Sequence, residues 1–238
     1  MRIKPLKIFS TLIFIGLSGW FIAIFAGPKL LQMYVRAGLG NGKDQPVFSM
    51  SIEGKIQAPV PNQSYIDQLK QFQVENVKIS VPKEFTVVKQ TSTKRYYKKW
   101  HKPENKAIIY VVHQPKDFFI RLYPEVKKDA VVNDYQFIRR TMQAKISEVK
   151  NLHDAFFLII KTIFTPDVGE QENLKIMEFA SAGKKGFVTY NLSKKGGYFN
   201  FNFIGEKADY FGVYIKDIPP TLDLNKALDI ISTIESTN

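Results

Sequence analysis

Residues Ile8 to Gly27, IFSTLIFIGLSGWFIAIFAG, form a run of twenty without a single charge. Wound as a helix, such a run spans about 30 Å, the thickness of a bilayer's hydrocarbon core. Eleven of the twenty are Ile, Leu or Phe, and together these favour insertion by ~3 to 7 kcal/mol before the Ser and Gly costs. The run therefore predicts one N-terminal transmembrane helix at 8–27, behind a basic flank at 1–7. A cleaved signal peptide fits less well, because its apolar core runs to about 7–15 residues before a small-x-small site. Cleavage after Ala26 would place Ile24 where a small residue is wanted. Arg2, Lys4 and Lys7 precede the run, whereas Lys29 and Arg36 follow it. The positive-inside rule then sets the N-terminus in the cytoplasm and the bulk of the chain outside, in a periplasm or at the cell exterior.

Beyond Gly27-Pro28, the pattern Leu30, Leu31, Tyr34, Val35 predicts an amphipathic helix near the interface. Gly38, Gly40 and Gly42 break it and give a tether up to Pro46, so that 28–46 reads as a juxtamembrane segment and 47–238 as one globular domain. The chain carries a formal net charge of +12, of which the part beyond residue 44 holds +7. A basic balance of that size favours anionic surfaces such as lipid headgroups or envelope polymers. With no cysteine, disulfides, thiolate metal sites and Cys nucleophiles are excluded by composition.

Strand character occurs at Val47 to Ile52, Val77 to Val81, Phe85 to Lys89, Lys94 to Trp100, Ala107 to His113 and Phe118 to Tyr123. The run from Ala107 is apolar on both alternating sets, as in a strand covered on both faces. Four later runs, Leu174 to Ala180, Phe187 to Leu192, Tyr198 to Ile204 and Tyr210 to Ile215, predict an antiparallel meander with turns at Gly183-Lys-Lys-Gly186 and Lys194-Lys-Gly-Gly197. In the third run Phe199, Phe201 and Phe203 share one face while Asn200 and Asn202 share the other. Helices are expected over Tyr65 to Phe72 behind a Ser64 cap, from Asn133 with the stripe Tyr135, Ile138, Met142, Ile146 and Val149, from an Asn151 cap through Phe164, and over Leu224 to Ile234.

Strands, a helical pair, a meander and a closing helix describe an α+β fold, an antiparallel sheet covered by helices in an α/β/α sandwich. The segment Val77-Lys-Ile-Ser-Val-Pro-Lys-Glu-Phe85, the mid-chain helix, the meander and the closing Ile230-Ile-Ser-Thr-Ile234 resemble the Mog1/PsbP-like family over about residues 74 to 236. The resemblance implies an accessory or assembly factor rather than a shared enzyme activity, and it supplies no functional residues.

The sequence names no catalytic residue, metal ligand or cofactor. His101, His113 and His153 stand too far apart for any paired zinc spacing, and no nucleophile elbow, phosphate loop or dinucleotide fingerprint occurs. Asp167, Glu170 and Glu172 read as a solvated acidic loop. Asn62-Gln-Ser64 and Asn191-Leu-Ser193 match the glycosylation sequon. The distinctive signal is the segment Lys94, Arg95, Tyr96, Tyr97, Lys98, Lys99, Trp100, His101 and Lys102. Cations interleaved with aromatic rings suit a ligand surface for anionic lipid or polymer, while an edge strand guarded by lysines is the plainer reading. The expectation is a membrane-anchored, extracytoplasmic, non-enzymatic interaction or accessory module with a protein partner. Its alternatives are an anionic lipid or polymer binding domain and an enzyme whose site is not visible in sequence; nucleic acid is not an expected partner.

Overall fold

The computed structural model describes residues 27–38, 46–57, 60–87, 98–101, 107–165, 173–193, 196–218 and 220–237. The expected anchor at 8–27 and the tether at 39–45 lie outside them, apart from Gly27 itself. Among the described residues no helix is long and apolar enough to cross a membrane.

The fold is mixed α/β. Helix α1 (Gly27–Gly38) is followed by β1 (Gly54–Gln57), the one-turn helix α2 (Gln63–Ile66), and strands β2 (Leu69–Val74), β3 (Val77–Pro82), β4 (Thr86–Val87), β5 (Lys98–His101) and β6 (Ile108–Gln114). Then come α3 (Phe118–Leu122), α4 (Asp134–Gln143) and α5 (Leu152–Phe164). The meander β7 (Lys175–Ser181), β8 (Lys184–Ser193), β9 (Gly196–Ile204) and β10 (Tyr210–Asp217) leads to α6 (Leu224–Ser232) and a short β11 (Glu235–Ser236). Eight strands form one sheet in the order β1-β7-β8-β9-β10-β6-β5-β4, and a second sheet pairs β11-β3-β2.

The meander and the helices α5 and α6 appear as the patterns predict, whereas α4 begins at the expected cap but stops at Gln143: Ile146 falls in a separate 3-10 turn, Ile146–Glu148, and Val149 is extended. Asn133 and Asn151 cap α4 and α5 by accepting from Gln136 N and Asp154 N. At the β7–β8 hairpin the positive-φ pair is Ala182 and Gly183, whereas Gly186 lies inside β8. A Cβ on Gly186 would stand 2.3 Å from Asn202 O, so only glycine lets these two strands approach.

Other expectations are corrected. The helix predicted over Tyr65 to Phe72 stops after one turn and is capped by Asn62, not Ser64; Leu69 and Phe72 belong to β2, which pairs antiparallel with β3. Sheet pairing outweighs the i, i+3 spacing there, since β2 pairs with β3 along its whole length, from Leu69 opposite Pro82 to Val74 opposite Val77. Phe118 to Tyr123 is helical rather than extended, because buried Asp134 accepts from Phe119 N and Ile120 N at 3.0 and 3.2 Å and so satisfies the donors of that helix start. Val47 to Ile52 opens as a 3-10 turn at Pro46–Phe48. The strand follows at Gly54 and runs parallel to β7, so the large sheet is not wholly antiparallel.

Two apolar interiors lie on opposite faces of the large sheet. One holds Phe137, Phe157, Leu158, Phe164, Ile176 and Phe187 beneath α3, α4 and α5. The other holds Phe179, Phe199, Phe201, Phe203 and Phe211 against Ile79 and Val81 of β3 and Leu228 and Ile231 of α6. The second covering layer is thus a helix joined to a small sheet rather than helices alone. β6 is buried on one face only: Ile109 and Val111 are fully enclosed, whereas Ile108, Tyr110 and Val112 are half-buried.

Candidate interaction surfaces

Of the basic-aromatic segment, Lys98, Lys99, Trp100 and His101 form β5, while Lys94, Arg95, Tyr96, Tyr97 and Lys102 lie outside the described residues. β5 is not the edge strand: β4 adds outside it, pairing Thr86 with His101 and Val87 with Trp100. On the inner side Lys99 pairs with Tyr110, and His101 with Ile108. Those rows continue across β10 and β9, Tyr110 opposite Tyr214 opposite Asn200, and Ile108 opposite Lys216 opposite Tyr198.

Along these rows the sheet presents half-buried aromatic rings and a cation on the side that α3–α5 occupy farther along the strands. Tyr110 and Tyr214 meet with ring centroids 6.0 Å apart. Lys216 Nζ stands 5.4 Å from the centre of the Tyr198 ring, a cation–π contact of about 0.5–1 kcal/mol at a partly exposed site. Sequence reasoning singled out β5 and missed Tyr110, Tyr198, Tyr214 and Lys216. The signal was present as the alternation of Tyr210, Gly212, Tyr214 and Lys216, legible only once the strand's register against β6 is known.

A second concavity, of about 380 Å³, opens between the small sheet and the start of α6, lined by Tyr65, Leu69, Lys83, Glu84, Thr221 and Lys226. Polar caps brace the elements around it. Asp229 accepts from Asn62 N at 2.9 Å and ties α2 to α6. Asp217 accepts from Thr221 N and from Leu222 N, closing the loop before α6. Burial, and next Glu84, push the Tyr65 phenol up to about 12, so Tyr65 offers a hydroxyl donor there and not a phenolate.

Two of the three histidines, His113 and His153, have structural partners. His113 Nε2 lies 2.7 Å from Asp209 Oδ2, and Asn76 Nδ2 lies 3.1 Å from His113 Nδ1, so both ring nitrogens are engaged. His153 Nδ1 pairs with Asp129 at 2.8 Å on the surface. Asp167, Glu170 and Glu172 lie outside the described residues. Among the described residues no three carboxylate or imidazole groups converge as a metal cage would require. Asn62 of the first sequon caps α2, and Asn191 of the second is 1% exposed within β8, closed to an attached glycan in the folded chain.

Two lysines are buried with backbone carbonyls as hydrogen-bond acceptors. Lys161 of α5 is fully enclosed, and its ammonium donates to Met50 O and Ala144 O, both at 2.8 Å. Burial, helped by the nearby Lys145 charge, pulls it from 10.5 down to about 7. Lys184 of β8 donates to Ser232 O at 2.8 Å, at the C-terminal end of α6, and burial likewise lowers its pKa. A cation at a helix C-terminus meets carbonyls that lack intrahelical partners.

Helix α1 is built into the same body. Leu31 packs against the interior beneath α5, Gln32 Nε2 donates to Val149 O at 3.0 Å and Ser147 O at 3.4 Å, and α1 lies against α5.

No family model matches the chain, and no curated protein does. A solved structure from Bacteroides thetaiotaomicron aligns over 71% of this chain at 10% identity with a TM-score of 0.35. The chain spans about half the length of that protein, 48%. A likeness that distant carries no argument about fold or function.

Proposed function

We propose that the chain is a membrane-anchored, non-enzymatic interaction module: residues 8–27 hold it in the bilayer, and the α+β domain binds a protein component of an envelope or membrane complex outside the cytoplasm. The observation that carries this reading is the seating of α1. Its first residue, Gly27, is also the last residue of the uncharged run, and three residues beyond Pro28 the helix is fixed by Leu31 and Gln32. A domain fastened so close to an anchor is presented at a set distance from the membrane instead of swinging on a long leash. The engagement of both ring nitrogens of His113 supports a binding role, as does the resemblance to a family of accessory factors.

The alternative, an anionic lipid or polymer domain, is favoured by the register of Lys98 and Lys99 beside Tyr110, Tyr214, Tyr198 and Lys216. Charge supplies attraction there and the rings supply stacking or interfacial anchoring. One experiment separates the two. A photo-crosslinking residue in place of Tyr214 in the full chain, activated in native membranes, gives a discrete protein adduct if the module has a protein partner. Adducts with lipid or envelope polymer alone select the alternative.

A further inference from the structure

The large hydrophobic side chains that stand exposed among the described residues are unevenly placed. Leu30 and Met33 are 57% and 66% exposed on α1, and Leu152, Ile159 and Ile163 are 74%, 47% and 65% exposed on α5, the helix α1 packs against. Spacings of seven and four residues set Leu152, Ile159 and Ile163 on one stripe of α5. The opposite side of that helix carries Phe157, Leu158 and Lys161 into the interior. Soluble surfaces scatter such residues singly; a cluster on two adjoining helices needs a cover.

We propose that this α1–α5 face lies on the lipid bilayer, its aliphatic side chains dipping into the headgroup boundary while the domain rests flat on the membrane. The inference rests on the anchored reading above and adds to it the orientation of the domain. The occupant follows from chain connectivity. Gly27 ends the twenty-residue uncharged run and begins α1, so wherever that run inserts, α1 starts at the membrane surface. Helix α1 packs against α5, and Gln32 ties it to the turn just before that helix, which brings the exposed stripe of α5 to the same surface. Lys29 sits exposed next to Leu30, and the part of the chain beyond residue 44 carries +7, a balance suited to anionic headgroups. A protein cover on this face would have to share it with the membrane that the run enters where α1 begins.

The chain has no cysteine, so one introduced thiol carries one label. The full chain bearing Met33→Cys, Ile159→Cys or Ile163→Cys, labelled with bimane, is reconstituted into phosphatidylglycerol–phosphatidylcholine vesicles containing a lipid spin-labelled near its headgroup. Val132→Cys, at a site 62% exposed and on neither helix, is the surface control, and Phe14→Cys, inside the run, reports on the anchor. The expected result is at least twofold stronger quenching at residues 33, 159 and 163 than at 132, with residue 14 quenched by a spin label deeper in the acyl chain. If residue 14 is quenched while 159 and 163 match 132 and stay open to aqueous iodide, the anchor stands and the flat orientation is overturned. Labels at 159 and 163 shielded from both iodide and lipid would mean a protein cover, which also overturns it. If residue 14 itself is unquenched, the anchored reading fails, and this inference with it.

Discussion

On one face of the large sheet Phe179, Val188, Phe199, Phe201, Phe203, Phe211, Val213 and Ile215 meet β3 and α6, with the buried polar side chains Lys184 and Asp217 standing at the ends of β8 and β10. On the other, Asn200, Asn202 and Tyr210 of the same strands are equally buried but are joined by hydrogen bonds. Asn200 and Asn202 both donate to Phe164 O, at 2.6 and 2.9 Å, and so satisfy the last carbonyl of α5. Tyr210 donates to Asn202 Oδ1 at 2.7 Å. Gly212 makes this possible, since a Cβ there would lie 2.7 Å from the Tyr210 hydroxyl. The contrast separates two kinds of order. Burial of rings supplies free energy and accepts many arrangements, whereas the Asn pair accepts one, the position at which α5 ends over β9.

The largest expected effect tests the apolar side. Phe201→Ala should lower stability by about 3–5 kcal/mol in urea unfolding, because a fully buried ring leaves a cavity that the sheet cannot collapse. A loss below about 1 kcal/mol would mean that this face is loosely packed.

The helical side should instead respond to pH. Lys161 titrates near 7 in the folded chain and near 10.5 when unfolded. Below pH 7 both states hold the proton and the cost of the buried charge is constant. Between pH 7 and about 10 the unfolded chain binds more protons, so stability rises with pH through this group. From pH 7 to 9 the parent should gain about 2 kcal/mol relative to Lys161→Met. A parent and variant whose difference does not change over that range would place the ammonium in a polar setting that burial does not perturb.

A smaller effect resolves the hydrogen-bonded side itself. Tyr210→Phe should cost about 1 kcal/mol, and combining it with Asn202→Ala should cost less than the two changes separately, because they share one bond. Strict additivity would show that the bond contributes nothing. The smallest change in stability belongs to the basic strand: replacing Lys94, Arg95, Lys98 and Lys99 by Gln should move stability by less than about 0.5 kcal/mol. The same variant should lose any salt-sensitive preference of the domain for anionic over neutral liposomes. Retained preference would remove β5 from the binding surface.

The two faces also differ in how far the sequence reveals them. The phenylalanine alternation in β9 named the apolar face outright, and Asn133 and Asn151 announced two helices, because local hydrogen bonding and period-2 patterning are properties of short segments. Nothing local tells that Asn200 and Asn202 are buried rather than solvated; that depends on α5 ending above them, thirty-odd positions earlier in the chain. The same holds for Tyr65 to Phe72, where the local spacing reads as a helix and pairing with β3 decides otherwise. The candidate surface was half legible: β5 stood out by composition, whereas Tyr110, Tyr198, Tyr214 and Lys216 join it only through register.

The central claim is that residues 8–27 anchor the chain and set the domain outside the cytoplasm. Fusing alkaline phosphatase after Asn238 of the full chain in a bacterial host tests it most directly, because that enzyme is active only in an oxidising, extracytoplasmic space. The account predicts an active phosphatase in the membrane fraction. A silent phosphatase, with a fluorescent protein at the same position glowing in the cytosol, would contradict it.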